Sequence, residues 1–326
     1  MTGTVRSLIV GCGHALPARA VSNDELAQTV DTSDEWIKQR TGIAQRYVAG
    51  PDETTSVLAA RAAQKAFAHA GIAAEVFDSI IVATTTPEKT FPATAALVQA
   101  ALEVRQGFAL DVQAVCSGFV YGLAIADNFI RLGQARTALV IGAENFSRLL
   151  DWQDRGTCVL FGDGAGAVVL QAGGGKGDKT DRGILSTHLH TDGHNWDKLY
   201  TTDGAGSTGK VGTVVMHGQE VFRYAVRYLA EVVDEALSAN NMQAGDIDWL
   251  VPHQANKRII DGTAKKLGLP NERVILTVAE HANTSAASIP LALSVAVHDG
   301  RIKPGQVVLL DAMGAGLTWG AAMVRM

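Results

Sequence analysis

Short runs of branched apolar residues alternate with amphipathic helical segments through both halves of this 326-residue chain, and that alternation restricts its fold more than any other feature. In the first half the pattern predicts strands over residues 5–10, 78–86, 108–112 and 138–142, with helices over 54–70, over 92–102 and from Ser117 onward. A strand, helix, strand order needs crossover connections, so the expected fold is α/β, with a mostly parallel sheet covered by helices on both faces. Residues 173–182 are rich in glycine and charge and read as a linker, dividing the chain into halves 1–175 and 176–326. The alternation then restarts, with strands over 184–190, 211–216, 249–252 and 274–277. A long helix over 220–239 is expected to turn Val221, Phe222, Ala225, Leu229, Val232, Val233, Ala236 and Leu237 to the core. Further helical runs reach Leu267 and His298, and residues 306–324 close as a hairpin around M-G-A-G. Each half ends in a strand, a Gly-Ala-Gly turn and a second strand (159–170 and 307–324), which reads as an internal duplication.

Composition removes several classes of function. A net charge of -5 leaves no footprint for nucleic acid. No apolar run approaches the roughly 18 residues a membrane span needs, and the first residues, M-T-G-T-V-R-S-L-I-V-G, show no export signal. Three widely spaced cysteines argue against a disulfide framework and for a reducing cytoplasm. With 47% hydrophobic residues and 34 glycines, the chain reads as a compact α/β enzyme.

Two motifs mislead. G-A-G-S-T-G-K-V at 204–211 approaches a phosphate loop, but Val211 replaces the magnesium-binding hydroxyl and a strand pattern follows where a helix is required. His188, His190 and His194 have metal-like spacing, yet no acidic or thiolate residue clearly completes a site, so no metal is expected.

Three turns each carry a polar group just after a strand: A-V-C-S-G-F with Cys116, V-P-H-Q-A-N with His253 and H-A-N-T-S-A-A-S with Asn283. Sites in parallel-sheet proteins form at such strand ends, so the three are expected to converge. Cys116 stands at a strand-to-helix turn, where the positive end of the helix lowers a thiol pKa and small neighbours leave the sulfur approachable. The alternative is a small buried hydrophobe. In D-T-S-D-E-W-I-K-Q-R-T-G-I, Ser33 is the expected N-cap and Gly42 the stop, which puts Trp36 and Arg40 on one face. That pair suits an adenine ring and a phosphate; a surface helix with a half-buried Trp is the alternative.

With these motifs in view the sequence resembles the β-ketoacyl-acyl-carrier-protein synthase III family of the thiolase superfamily. The likeness runs through D-T-S-D-E-W-I (31–37), R-T-G-I (40–43), D-R-G-T (154–157), F-G-D-G-A-G (161–166), L-V-P-H-Q-A-N (250–256), N-T-S-A-A-S (283–288), D-G-R-I-K-P-G-Q (299–306) and L-T-W-G (317–320). It implies a duplicated five-layered αβαβα fold with two mixed, mostly parallel sheets, a homodimer, and a Cys116-His253-Asn283 site. Cys116 takes an acyl group, typically acetyl, from coenzyme A, and malonyl-acyl-carrier protein then decarboxylates and condenses to 3-oxoacyl-carrier protein. These are substrates, and no cofactor is implied. The resemblance further assigns Trp36, Arg40, Arg155 and Asn256 to coenzyme A and Met313 to the acyl pocket. Phe91 reaches across the dimer into the partner's pocket, and Gln254, Lys257 and Arg258 meet the carrier protein, with Lys265 and Lys266 extending the patch. The backbone N–H groups of Cys116 and Ala315 are the expected oxyanion hole.

The chain departs from the family at Met313-Gly314-Ala315-Gly316, where Phe-Gly-Gly-Gly is frequent, at Gln219, where asparagine is common, and at Ala282, where glycine is frequent. A thiolase needs a second cysteine within residues 307–326, and none is there. A hydroxymethylglutaryl-type synthase needs a catalytic glutamate, and Glu144 lacks the supporting motif. A relative in secondary metabolism loading a longer or aromatic acyl group, a Cys-His-Asn thioester hydrolase, and a silent carrier-protein docking module remain as alternatives.

Overall fold

The structure, a computed structural model, describes residues 4–326; the opening of the run read above for an export signal, residues 1–3, lies outside them. The first half runs β1 (Thr4–Ala15), β2 (Arg19–Ser22), α1 (Asn23–Leu26), α2 (Asp34–Thr41), β3 (Gln45–Val48), α3 (Thr55–Ala70), β4 (Ser79–Ala83), α4 (Thr94–Ala101), β5 (Phe108–Val112), α5 (Gly118–Arg131), β6 (Thr137–Glu144) and β7 (Gly164–Gly175). Then follow β8 (Gly183–Thr191), β9 (Leu199–Thr201), β10 (Val214–Met216), α6 (Gly218–Ala239), β11 (Trp249–Pro252), α7 (Lys257–Lys266), α8 (Val278–His281), α9 (Ser288–His298), β12 (Val307–Gly314) and β13 (Thr318–Arg325).

Two sheets carry the architecture, ordered β1-β7-β6-β4-β5 and β11-β12-β13-β8. Both are mixed. β4 is parallel to β5 and β6, and β11 to β12, while β7 against β1 and β6, and β13 against β12 and β8, are antiparallel. Period-two burial assigns each strand face to a layer. Leu139 and Ile141 of β6 face α3 and α4, whereas Val140 joins Phe119 and Leu123 of α5 and Ile289 and Leu293 of α9. That same central cluster takes Val308 and Leu310 of β12, whose Val307 and Leu309 face α6 and α7 instead. The result is five layers, αβαβα, with α5 and α9 between the sheets and every central strand buried on both faces.

The repeat is visible in the topology, but not where the sequence pattern put it. Residues 159–170 are not a strand, turn and strand. Gly164, Ala165 and Gly166 already lie inside β7, all three paired to β6 and the last two also to β1, so the counterpart of the β12–β13 pair is β6–β7. The glycines serve close approach. A Cβ on Gly166 would lie 2.4 Å from Leu291 N, and one on Gly142 would lie 2.2 Å from the Ala286 carbonyl oxygen. Their absence of side chains is what lets α9 and the turn before it press onto the first sheet.

Other expectations shift too. The strand expected over 211–216 shrinks to Val214–Met216, and that over 274–277 to a single bridge between Leu250 and Val274. Phe222, expected in the core, is 39% exposed. No helix among the described residues is long and apolar enough to cross a membrane.

Candidate active site

The site is assembled from two matching turns. After β5 the chain makes a single 3-10 turn, Val115–Ser117, into α5; in the second half Ser285–Ala287 does the same into α9. Both turns start in left-handed backbone, with φ 47° at Val115 and 48° at Ser285. For a β-branched residue such as Val115 this costs on the order of 1–3 kcal/mol, the kind of strain that accumulates at functional sites. The turns meet because Gly118 has no side chain: a Cβ there would lie 3.0 Å from that of Ala83 and 3.3 Å from that of Ala286. From the far side β12 closes in, and a Cβ on Gly314 would stand 2.6 Å from the Cys116 amide nitrogen.

Cys116, His253 and Asn283 line one cavity of about 690 Å³. Each is held from behind. The amide of His253 donates to the Asp311 carbonyl at 2.8 Å, and its Nδ1 lies 2.6 Å from the Ser288 hydroxyl. That hydroxyl oxygen already accepts the Gln254 amide at 3.2 Å, and we assign its proton to Nδ1. The ring proton then sits on Nε2, the nitrogen free to face the cavity. Burial pulls the imidazole pKa down to about 3, so the ring is a neutral donor at physiological pH. Asn283 Oδ1 accepts the Ser285 amide at 2.9 Å, and its backbone bonds Leu160 O and Gly162 N, each at 3.0 Å. With the carbonyl end engaged, the –NH₂ end is left to donate.

The thiol differs from expectation. Cys116 is only 5% exposed, and burial pushes its pKa up to about 12; a bond from Ser285 opposes the rise and the charge of Glu144 adds to it. The helix end does not offset desolvation in so enclosed a place, and the resting group is a thiol.

At the cavity mouth Trp36 stands on α2, whose Ser33 cap and Gly42 stop (φ 78°) are as the sequence pattern predicts. Arg40 lies 4.7 Å and Arg155 5.4 Å from the centroid of its ring. The Arg155 spacing is tighter than the roughly 7 Å that a base sandwiched at two van der Waals contacts needs. Arg155 also bonds the Asp31 backbone at 3.0 Å. Asn256 lines the cavity while its Oδ1 caps α7 through the Ile259 amide at 3.0 Å. Arg258 and Arg223 also line the cavity, which makes four arginines in its wall with Arg40 and Arg155.

Met313 is in the cavity wall. Phe91 is not; it stands 83% exposed on the surface. Ala315 packs beside Val115, Phe146 and Phe161, next to the nucleophile turn. Gln254 is no surface contact at all: it is 1% exposed, donates to Pro252 O and Ile275 O, and accepts the amides of Thr277 and Val278. Buried amides in a short strand-to-helix connection require such a partner, and this outweighs the residue's polar character. Lys257 is exposed and paired with Asp261 at 2.6 Å. Sequence reasoning missed Arg223, Ser285 and Ser288, although both serines lie within the quoted N-T-S-A-A-S. His188 and His190 share Glu235, at 3.0 and 2.6 Å, and no cluster suited to a metal occurs among the described residues.

Comparison with known proteins places the chain in a family. Residues 110–193 match the family model described as 3-Oxoacyl-[acyl-carrier-protein (ACP)] synthase III, and residues 237–326 the model of its C-terminal part. The chain is 66% identical over 322 residues, 99% of each chain, to a Beta-ketoacyl-[acyl-carrier-protein] synthase III of Paramagnetospirillum magneticum. It is 64% identical over 321 residues, 98% of this chain and 99% of the other, to that of Rhodospirillum centenum. Among solved structures, a 3-oxoacyl-[acyl-carrier-protein] synthase III from Aquifex aeolicus is similar at TM-score 0.92 and 45% identity, covering 98% of this chain and all (100%) of that one. The priming beta-ketosynthase of the R1128 polyketide biosynthetic pathway is similar at TM-score 0.93 and 33% identity, over 100% of this chain and 98% of that one.

Proposed function

The chain belongs to the β-ketoacyl-[acyl-carrier-protein] synthase III family, and from that premise we propose how its cavity carries out the reaction. It is a condensing acyltransferase that initiates fatty acid synthesis. An acyl-coenzyme A, acetyl in the simplest case, enters with its phosphates among Arg40, Arg155, Arg223 and Arg258 and its adenine against Trp36, once Arg155 swings aside. Asn256 borders the pantetheine arm, and the acyl group lies against Met313.

Cys116 attacks the thioester carbonyl, whose oxyanion is met by the Cys116 and Ala315 amides. Coenzyme A leaves, malonyl-acyl-carrier protein replaces it, and loss of carbon dioxide creates the carbon nucleophile without removal of a C–H proton. The need at that step is for donors where enolate charge grows, and His253 Nε2–H and Asn283 Nδ2–H supply them. Removing one such donor costs on the order of 3 kcal/mol in known cases. Because decarboxylation drives carbon–carbon bond formation, the reaction as written needs no cofactor.

The observation that carries this reading is the pair of neutral donors, each fixed by a serine behind it, sharing one cavity with a single thiol. Incubation with acetyl-coenzyme A tests it: a stable acyl adduct on Cys116, absent from Cys116→Ala, is expected. Steady release of free acetate would favour the thioester hydrolase instead. In the same variant some malonyl-carrier protein decarboxylation should survive, because His253 and Asn283 are untouched. A panel of longer and aromatic acyl-coenzyme A thioesters separates a primer for fatty acids from one for secondary metabolism.

Two further assignments rest on the same reading. A homodimer is supported by Phe91, a large aromatic ring 83% exposed beside Pro92, and sedimentation at micromolar concentration tests it. The three unpaired thiols, Cys12, Cys116 and Cys158, suit a reducing cytoplasm. The carrier protein is expected at Arg258 and Lys257 beside the mouth.

A further inference from the structure

The motif L-T-W-G at 317–320 has no part in the reaction as written above, yet its threonine stands between the two turns on which the oxyanion depends. Thr318 opens β13, opposite Gly314 of β12, and is buried. Its hydroxyl oxygen lies 2.9 Å from Ala114 O, 3.0 Å from Ala315 O and 3.3 Å from Ser117 Oγ. Ser117, completely buried, directs its own hydroxyl proton to Thr318 O at 2.9 Å. Two hydroxyls thus cross-link segments more than two hundred positions apart in the chain.

Each contact holds something specific. Ala114 O is the acceptor that closes a 3-10 turn through the Ser117 amide at 3.0 Å, and Cys116 lies inside that turn. Ala315 is the residue whose amide joins that of Cys116 around the oxyanion in the reading above. Both carbonyls can only accept, so the single Thr318 proton is shared between them, a three-centre bond that draws the two segments toward one point. Without that proton, two buried acceptors would face the same space, a cost that moving the turns apart relieves. The glycines act with the hydroxyl. A Cβ on Gly314 would stand 2.6 Å from the Cys116 amide nitrogen and 3.2 Å from Ala114 O, and one on Gly316 would stand 2.7 Å from the Thr318 methyl carbon. Bare backbone permits the approach, and the hydroxyl fixes its distance.

We propose that Thr318 is a positioning residue for the oxyanion hole: its hydroxyl, with that of Ser117 behind it, aims the Ala315 amide at the point the Cys116 amide faces. Neither residue belongs to the cavity wall, so both act through the backbone they hold. As the sulfur attacks, charge grows on the thioester oxygen, and a donor helps only if it stands about 3 Å from where that oxygen will be. The inference rests on the acyl-transfer reading. It leaves aside His253 and Asn283, the donors that serve decarboxylation.

That division of labour supplies the test. Thr318→Val keeps the shape and the methyl group and removes the hydroxyl, while Thr318→Ser keeps the hydroxyl. Both are compared with wild type in single-turnover acylation of Cys116 by saturating acetyl-coenzyme A, in alkylation of Cys116 by iodoacetamide with peptide mapping, and in malonyl-carrier protein decarboxylation, with melting curves alongside. Alkylation at a saturated carbon forms no oxyanion, so it reports only that the thiol is still in place. Thr318→Val is expected to acylate roughly 100-fold more slowly, with alkylation and decarboxylation within about threefold of wild type. Thr318→Ser should acylate within about threefold of wild type. A folded Thr318→Val that acylates within about threefold of wild type overturns the proposal, and so does a parallel fall in acylation and alkylation, which marks a tie that only holds the turn together. A serine variant as slow as the valine one assigns the effect to the methyl group and overturns it as well. Should Thr318→Val not fold, Ser117→Ala decides: acylation is expected to fall about tenfold with alkylation unchanged, and a loss below about twofold overturns the proposal. A wild type that takes no acyl group from acetyl-coenzyme A removes the condensing reading and this proposal together, whereas a wild type and a valine variant acylated at equal rates remove this proposal alone.

Discussion

Replacing Gly166 by alanine should disable condensation from a position that touches no substrate. Gly166 lies in β7 beneath α9, and a Cβ there would stand 2.4 Å from Leu291 N and 2.5 Å from Pro290 C. Ordinary contact begins at 3.4 Å, so the helix must retreat by 3.4 − 2.4, about 1 Å. Those neighbours are backbone and cannot rotate away. The retreating helix carries Ser288, which holds His253 Nδ1 at 2.6 Å, and drags the turn that bears Asn283 and Ser285. A misplacement of about 1 Å at reacting groups costs roughly 100-fold in rate, and overpacking of this kind costs about 2 kcal/mol in stability. Gly174→Ala is the control: it lies on the same strand, with nothing within 4 Å of its Cβ. Condensation by both variants is measured with acyl-coenzyme A and malonyl-carrier protein, together with melting curves. Gly166→Ala should lose roughly 100-fold in rate and melt roughly 5 °C lower, while Gly174→Ala stays within about twofold. Equal behaviour of the two variants in both measurements would refute the argument that glycine spacing sets the distance between the halves.

Three further outcomes are expected. The folded pKa of His253 is lowered to about 3, so the neutral donor persists at every pH above that. Malonyl-carrier protein decarboxylation by Cys116→Ala should therefore be flat from about pH 5 to 8, and a fall centred near 6.5 would show that the ring titrates normally. Ala282 sits at φ 58°, ψ −162°, a region populated essentially by glycine. Ala282→Gly should thus leave stability unchanged or raise it by up to about 1 kcal/mol in urea unfolding, where a buried alanine ordinarily loses about that amount. Arg155→Ala removes one of the four arginines proposed to meet the coenzyme A phosphates and should raise KM for acyl-coenzyme A roughly tenfold with kcat within twofold; a kcat loss as large as the KM change would place Arg155 in the chemical steps.

Much of the site was legible because its residues sit where local rules are strong. Ser33 and Gly42 bound α2 by capping chemistry, and this alone sets Trp36 and Arg40 on one face. The run from Phe108 into α5 shows its change of period at Cys116, and V-P-H-Q-A-N shows His253 leaving β11. Residues 159–170 misled for a physical reason: a glycine triplet that permits a turn equally permits a helix to lie against a flat strand, and only the partner distinguishes the two. Gln254 misled likewise, since a polar side chain after a strand serves a partner or its own backbone with the same sequence.

The residues by themselves determined the alternation of strands and helices, the three strand-end turns and the types of group they carry, because periodicity and capping act over a few neighbours along the chain. The rest is set by what meets across the fold. That Cys116 is a neutral thiol at about 12 and that Glu144 meets the Ser285 hydroxyl at 3.1 Å both follow from pressing α9 of the second half onto the first sheet. Desolvation and hydrogen bonding between groups more than a hundred residues apart have no signature in local sequence; they exist only once both halves have closed around them.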